Sequence, residues 1–273
     1  MTVLVTGATG TVGRQIVKQL VERGERVRAL SRNPARANLP APVEVAFGDL
    51  ADAGSLAPAL EGVTRLHLVT FGGAELYAPL DNGKEIVELA RRAGVERVSV
   101  LTGWDEGSVE AALGESDLPW TQIKCVEFMA NVREWVPSVR DESVVRMFGN
   151  WAGSSVHEAD IAAVAVTALL EDGHAGRSYT LTGPELLTPE QRVRLIGAAL
   201  GREIRFEELT EQGLREQMRG WGADEETIEF AVMLGADPPA VGMTVLPTVE
   251  EVTGRPGRTF AEWVAENVGE FRA

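Results

Sequence analysis

Val3 to Gly13 read VLVTGATGTVG, a short apolar run followed at once by Gly7, Gly10 and Gly13. Beyond it, Val12, Ile16, Val17, Leu20 and Val21 recur at helical spacing up to Arg23. The order is strand, glycine turn, amphipathic helix. Glycines at this spacing let backbone turn tightly and approach a pyrophosphate, which sits where the free N–H groups and dipole of a helix N-terminus favour negative charge. The stretch therefore predicts a dinucleotide site on Gly7, Thr9, Gly10, Thr11, Val12 and Gly13.

Strand and helix patterns alternate beyond the first helix. Strands are expected at 26–30, 43–46, 65–69 and 97–101, helices at 55–60 and 81–93, with Gly94 closing the latter. This βαβ repeat implies an α/β, Rossmann-type doubly wound parallel sheet, with ligands beyond the carboxyl ends of its strands. Those ends carry Ser31 and Arg32, Asp49 and Leu50, Thr70 and Phe71, and Thr102 to Trp104. An acid after the second strand binds both ribose hydroxyls of NAD. Here Ser31, Arg32 and Asn33 stand there, with Arg36 behind them, and a guanidinium suits a 2′-phosphate. NADP(H) is thus favoured over NAD, and Arg14 adds charge nearby. Asp49 comes too late for the ribose and is placed to accept from the adenine amino group.

Composition bounds the remainder. The chain has 273 residues, 44% of them hydrophobic, ample for one or two lobes. A net charge of −15 opposes binding to nucleic acid or to an anionic membrane. No apolar run spans a bilayer, and the chain starts on its first strand, so a cytoplasmic protein without a signal peptide is expected. Cys125 is the single cysteine and reads as a small buried hydrophobe. His67, His157 and His174 are far apart, so no metal site is expected, and His157 reads as a structural hydrogen-bonder. Thr188-Pro189-Glu190-Gln191 is a helix start with a capping box, and Thr259 caps a last helix. The expected domains are a dinucleotide-binding unit at 1–150, with returning segments from 151–185, and a smaller α/β lobe at 186–273.

Several segments in sequence order resemble the NmrA-like proteins, atypical members of the short-chain dehydrogenase/reductase superfamily. They are TGATGTVG, VRALSRNPARA, GDLADAGSLAPALEGV, ARRAGVERVSVLTG, LPWTQIK, FMAN, HEADIAAVA, YTLTGPELLT and EVTGRPGRTFAEWVAENV. The resemblance covers nearly the whole chain. It implies a Rossmann domain with a small C-terminal lobe, and an activity anywhere among quinone reductases, other reductases and redox sensors without turnover. The superfamily's Tyr-x-x-x-Lys pair is missing: Tyr77 is followed four residues later by Asp81, and Tyr179 by Gly183. Thr102 stands where the superfamily often has a catalytic serine, and either bonds a substrate oxygen or caps a turn. Lys124 is the other candidate proton donor. Trp104, Phe128, Met129 and Trp151 are candidates to line a flat aromatic pocket.

Lack of an acid restricts the chemistry. A ketone needs its oxygen protonated as it is reduced, whereas a reduced quinone oxygen is a phenolate with a pKa near ~10 and takes its proton from water. The expectation is an NADPH-dependent reductase of a quinone or polycyclic aromatic carbonyl, able to feed an oxygen-dependent hydroxylation in secondary metabolism. A non-catalytic NADP(H) sensor acting on a protein partner is the alternative. The expected partner is a small aromatic substrate, and a homodimer is compatible with this reading.

Overall fold

The computed structural model describes residues 1–72, 79–103 and 106–272. In chain order its elements are β1 (Thr2–Val5), α1 (Thr11–Glu22), β2 (Arg26–Ser31), β3 (Glu44–Phe47), α2 (Ala57–Leu60), β4 (Arg65–Val69), α3 (Gly83–Arg92), β5 (Arg97–Leu101), α4 (Ser108–Gly114), β6 (Trp120–Cys125), α5 (Val136–Glu142), β7 (Val144–Phe148), α6 (Glu158–Leu170), β8 (Ser178–Leu181), α7 (Pro189–Leu200), β9 (Arg205–Leu209), α8 (Glu211–Gly220), α9 (Glu225–Ala236), α10 (Thr248–Thr253) and α11 (Phe260–Asn267).

Among the described residues, seven strands form a parallel sheet in the order β3-β2-β1-β4-β5-β6-β8. The order reverses direction beside β1, the doubly wound arrangement expected. Leu66, Leu68, Val98 and Val100 bury one face of this sheet with Ile86, Val87, Val109 and Leu113 of α3 and α4. α6 is apolar all round, as a helix enclosed in protein must be, and Glu158 to Leu169 are all buried. Its last carbonyls are satisfied from the sheet, where the Arg65 and Arg97 guanidinium groups both donate to Leu169 O.

The chain divides at other bounds than the expected 1–150, with returning segments from 151–185, and 186–273. One unit comprises Met1–Cys125, Glu158–Leu181 and Thr248–Arg255; the other comprises Val126–His157, Thr182–Pro247 and Pro256–Ala273. The change comes at Val126 because the following segment contributes β7, which pairs in parallel with β9, 61 residues away at Arg146 and Glu207. Only Val144 and Val145 of β7 are fully buried, so its apolar signal is too short to declare a strand. The second unit has its own core of Met129, Val145, Ile196, Phe260, Trp263 and Phe271. Phe260 and Trp263 stack at 5.8 Å, and the Arg133 guanidinium lies 5.2 Å from the Trp263 ring. The capping boxes at Thr188/Gln191 and Thr259/Glu262 form as expected. Among the described residues no helix is long and apolar enough to cross a membrane.

His67 sits inside the sheet on β4, its Nδ1 2.9 Å from the Ser99 hydroxyl of β5. Burial without a charged partner lowers its pKa from 6.5 to about 3. The unfolded chain takes up this proton below about pH 6.5 and the folded chain only near pH 3, so stability falls with pH throughout that window. Between pH 6.5 and 5 this one group costs about 2 kcal/mol. Urea unfolding at pH 7 and pH 5 should show that extra loss in the unmutated chain and not in His67→Gln, whatever the variant's stability at pH 7.

Candidate active site

The glycine turn is built by backbone contact. Gly7 has φ +59°, in the left-handed region, and its carbonyl accepts from Gly10 N–H at 2.9 Å. A Cβ on Gly13 would lie 2.0 Å from that carbonyl, so only glycine lets α1 start this close to β1. Gly10 caps α1 with φ −80° and ψ 178°, offers no side-chain cap, and no acid stands in the first turn. Gly7, Thr9, Gly10 and Thr11 are exposed, while Val12 and Gly13 are buried behind them. A pyrophosphate fits this cradle, because the first-turn N–H groups carry no competing carboxylate or hydroxyl cap.

Neighbouring strand ends are fixed to the same turn. Thr6 Oγ1 accepts from Val69 N–H at 2.9 Å, tying β1 to β4. Arg14, read from the sequence as added positive charge, is held by backbone carbonyls. Its guanidinium donates to Thr9 O, Asn38 O and Ala37 O at 2.9, 2.9 and 3.1 Å, joining the glycine turn to the segment after β2. Sequence spacing gives no sign of this clamp, since its acceptors are carbonyls 23 and 24 residues away. Arg32 is exposed on that segment without a side-chain partner among the described residues, and Ser31 Oγ accepts from Asn33 N–H at 3.1 Å. Asp49 Oδ1 accepts from Ala51 N–H at 3.0 Å, and Leu50 O accepts from Asn82 Nδ2 at 2.8 Å. Thr70 is buried, and Phe71 is half-buried against Gly103.

Thr102 follows β5, its hydroxyl buried and without a partner among the described residues. Lys124 lies within β6, not beyond it, and its Nζ donates to Glu106 Oε1 at 2.7 Å. Glu106 escaped the sequence reading, as a lone carboxylate in a loop has no spacing signal. Trp104 and Tyr77 lie outside the described residues. Phe128 is half-buried in the second unit, and Trp151 is exposed there with its indole N–H donating to Gly235 O. Met129 is 1% exposed within the second core, so it has no surface to line a pocket: core packing claims its flexible side chain. The Tyr179 hydroxyl is 2.8 Å from His174 Nδ1. Desolvation pushes the Cys125 thiol up, away from a reactive thiolate. No group of three His, Cys, Asp or Glu residues able to hold a metal occurs among the described residues.

Residues 7–109 match the NAD(P)H-binding family. The (4-alkanoyl-5-oxo-2,5-dihydrofuran-3-yl)methyl phosphate reductase of Streptomyces griseus is 34% identical, covering 98% of this chain and 99% of its own. This chain belongs to the NAD(P)H-binding family. A nicotinamide dinucleotide is its cofactor. The NAD(P)H azoreductase of Xenophilus azovorans is 32% identical over 99% of this chain and 99% of its own. The fold is shared with an NADPH-dependent quinone oxidoreductase from Escherichia coli, solved with NADPH. The TM-score is 0.80 at 23% identity, covering 97% of this chain and 99% of that one. All three are named as reductases or oxidoreductases, two of them with NAD(P)H or NADPH in the name.

Two glycines separate binding from folding. Gly10→Val leaves a permitted backbone, where a Cβ stands 3.2 Å from Gly7 O, but places branched carbon in the phosphate cradle. Calorimetry should show NADP(H) affinity falling about tenfold or more with an unchanged circular dichroism spectrum. Gly13→Val should instead lower the melting temperature, because α1 must move away from the turn.

Proposed function

We propose that this protein is an NADPH-dependent reductase of a quinone or polycyclic aromatic carbonyl. The observation that carries the reading is the uncapped, glycine-lined start of α1, with the exposed Arg32 guanidinium, unpaired among the described residues, at the end of β2 between Ser31 and Asn33. Arg32 and the Ser31 hydroxyl are the groups that would hold the 2′-phosphate. Asp49 retains its Oδ2 to accept from the adenine amino group, its Oδ1 being used by Ala51. When bound, NADPH supplies a hydride to the acceptor.

The protein's part begins with positioning. α4 carries neither tyrosine nor lysine, and the Tyr179 hydroxyl is engaged with His174. An acceptor whose reduced oxygen is a stabilised phenolate suits such a site, because its proton can come from water. The acceptors in the relatives' names, a quinone, an azo compound and an oxo-dihydrofuran, are likewise conjugated and electron-poor. A hydroquinone product would be available to a separate oxygen-dependent hydroxylation.

Losing a charge-assisted phosphate contact costs about 1.5–3 kcal/mol, so Arg32→Ala should weaken NADPH roughly tenfold or more while sparing NADH. Fluorescence titration of both cofactors checks this, and equal affinities in the unmutated protein would remove the basis for NADPH. Pure protein should oxidise NADPH with members of a quinone panel, with and without oxygen, and Tyr179→Phe should keep most of that activity. Intact cofactor binding without any oxidation above background would replace the reductase by a redox sensor.

A further inference from the structure

Three strands from β1, the first unit carries a chain of polar side chains on one sheet face. Gln122 and Lys124, two apart on β6, point to the same side. Leu101 pairs with Ile123, and Thr102 N–H donates to Ile123 O, so Thr102 stands level with Lys124 at the carboxyl edge. Alternation puts Thr102 with Val98 and Val100, on the face that carries Gln122 and Lys124. Glu106 reaches this face from the segment before α4. Its Oε1 accepts from Lys124 Nζ at 2.7 Å and from Gln122 Nε2 at 3.0 Å. Gln122 is buried, and its Oε1 accepts from Ser178 Oγ on β8 at 2.9 Å. The carboxylate is therefore fixed from behind, and these bonds hold Glu106 below the usual carboxylate range.

The consequence falls on Lys124. An ammonium has three donors, and Glu106 takes one. The other two have no acceptor among the described residues, and the side chain is 41% exposed. A long flexible cation is thus held at the edge where ligands bind in such sheets, with donors to spare and water at hand.

We propose that the Lys124 ammonium, positioned by Glu106, stabilises and protonates the oxyanion formed when the acceptor is reduced. This rests on the reductase reading. The acceptor gains two electrons and one hydrogen nucleus from NADPH, and its carbonyl oxygen takes up an electron pair. An N–H bond of Lys124 breaks as an O–H bond forms, and the amine regains a proton from water, leaving hydroquinone and NADP⁺. Glu106 is a positioning residue, acting through Lys124.

The test reads a bound phenol as well as turnover. With NADP⁺ present, 4-nitrophenol and a hydroxynaphthoquinone are titrated by absorbance on the protein. In the unmutated chain the bound phenol should ionise about one pH unit or more below its free value, as expected beside a cation. Lys124→Met should remove the shift, Lys124→Arg should restore most of it, Glu106→Gln should reduce it, and Lys84→Met, a remote control, should leave it. In turnover, Lys124→Met should lower kcat about tenfold for quinones giving basic phenolates and much less for those giving acidic ones, with NADPH affinity unchanged. An identical shift in Lys124→Met, or no bound phenolate in the unmutated protein, overturns the proposal. Lys124-dependent phenolate binding in a chain that oxidises no NADPH supports the oxyanion site and overturns the reductase reading instead.

Discussion

The first unit depends on one backbone contact, that of the Gly13 Cα against the Gly7 carbonyl. A methyl group there would stand 2.0 Å from the oxygen, well inside any tolerable approach. Without the contact α1 would start further from β1, and its N–H groups would no longer face the space beyond the strand ends. β1 lies between β2 and β4, so its carboxyl end is also where the strand order reverses. A parallel sheet leaves a crevice at that point, and the glycine contact lines it with donors. The Arg14 guanidinium then fastens the turn to Ala37 and Asn38, which fixes the segment carrying Arg32.

Burial is bought where it is cheap and polar groups are spent sparingly. α6 gives up almost every side chain to the interior, so the carbonyls at its end must find donors within the protein, and Arg65 and Arg97 provide them. His67 occupies the middle of the sheet as a neutral imidazole, partnered among the described residues only by Ser99 on the neighbouring strand. That choice ties stability to mild acid without touching the cofactor cradle. The second unit is built on other terms, with stacked aromatic rings and the Arg133 guanidinium over Trp263.

Thr102, Lys124 and Glu106 show how the register of a parallel sheet gathers polar groups from separate segments at one edge. α4 supplies neither a phenol nor an ammonium. The ammonium beside Thr102 comes from the adjacent strand, and a loop carboxylate holds it there. Parallel strands put residues of equal register on one face, so a charge can change strands while keeping its place at the sheet's edge.

The sequence alone determined everything that rests on local backbone chemistry. The glycine turn, the strand and helix alternation, and the Thr188 and Thr259 capping boxes each depend on residues within one or two turns of one another. Fold class and cofactor family follow from them. Only the tertiary structure decided what depends on distant partners. β7 is a strand because β9 lies beside it, and this moves the unit boundary to Val126. Met129 is core because other apolar groups enclose it, although its residue type also fits a pocket lining. Arg14 finds carbonyls rather than phosphate, and Lys124 finds Glu106, 18 residues back along the chain. Periodicity and spacing report which way a side chain points along its own element; which group waits for it there is settled by the register of the sheet.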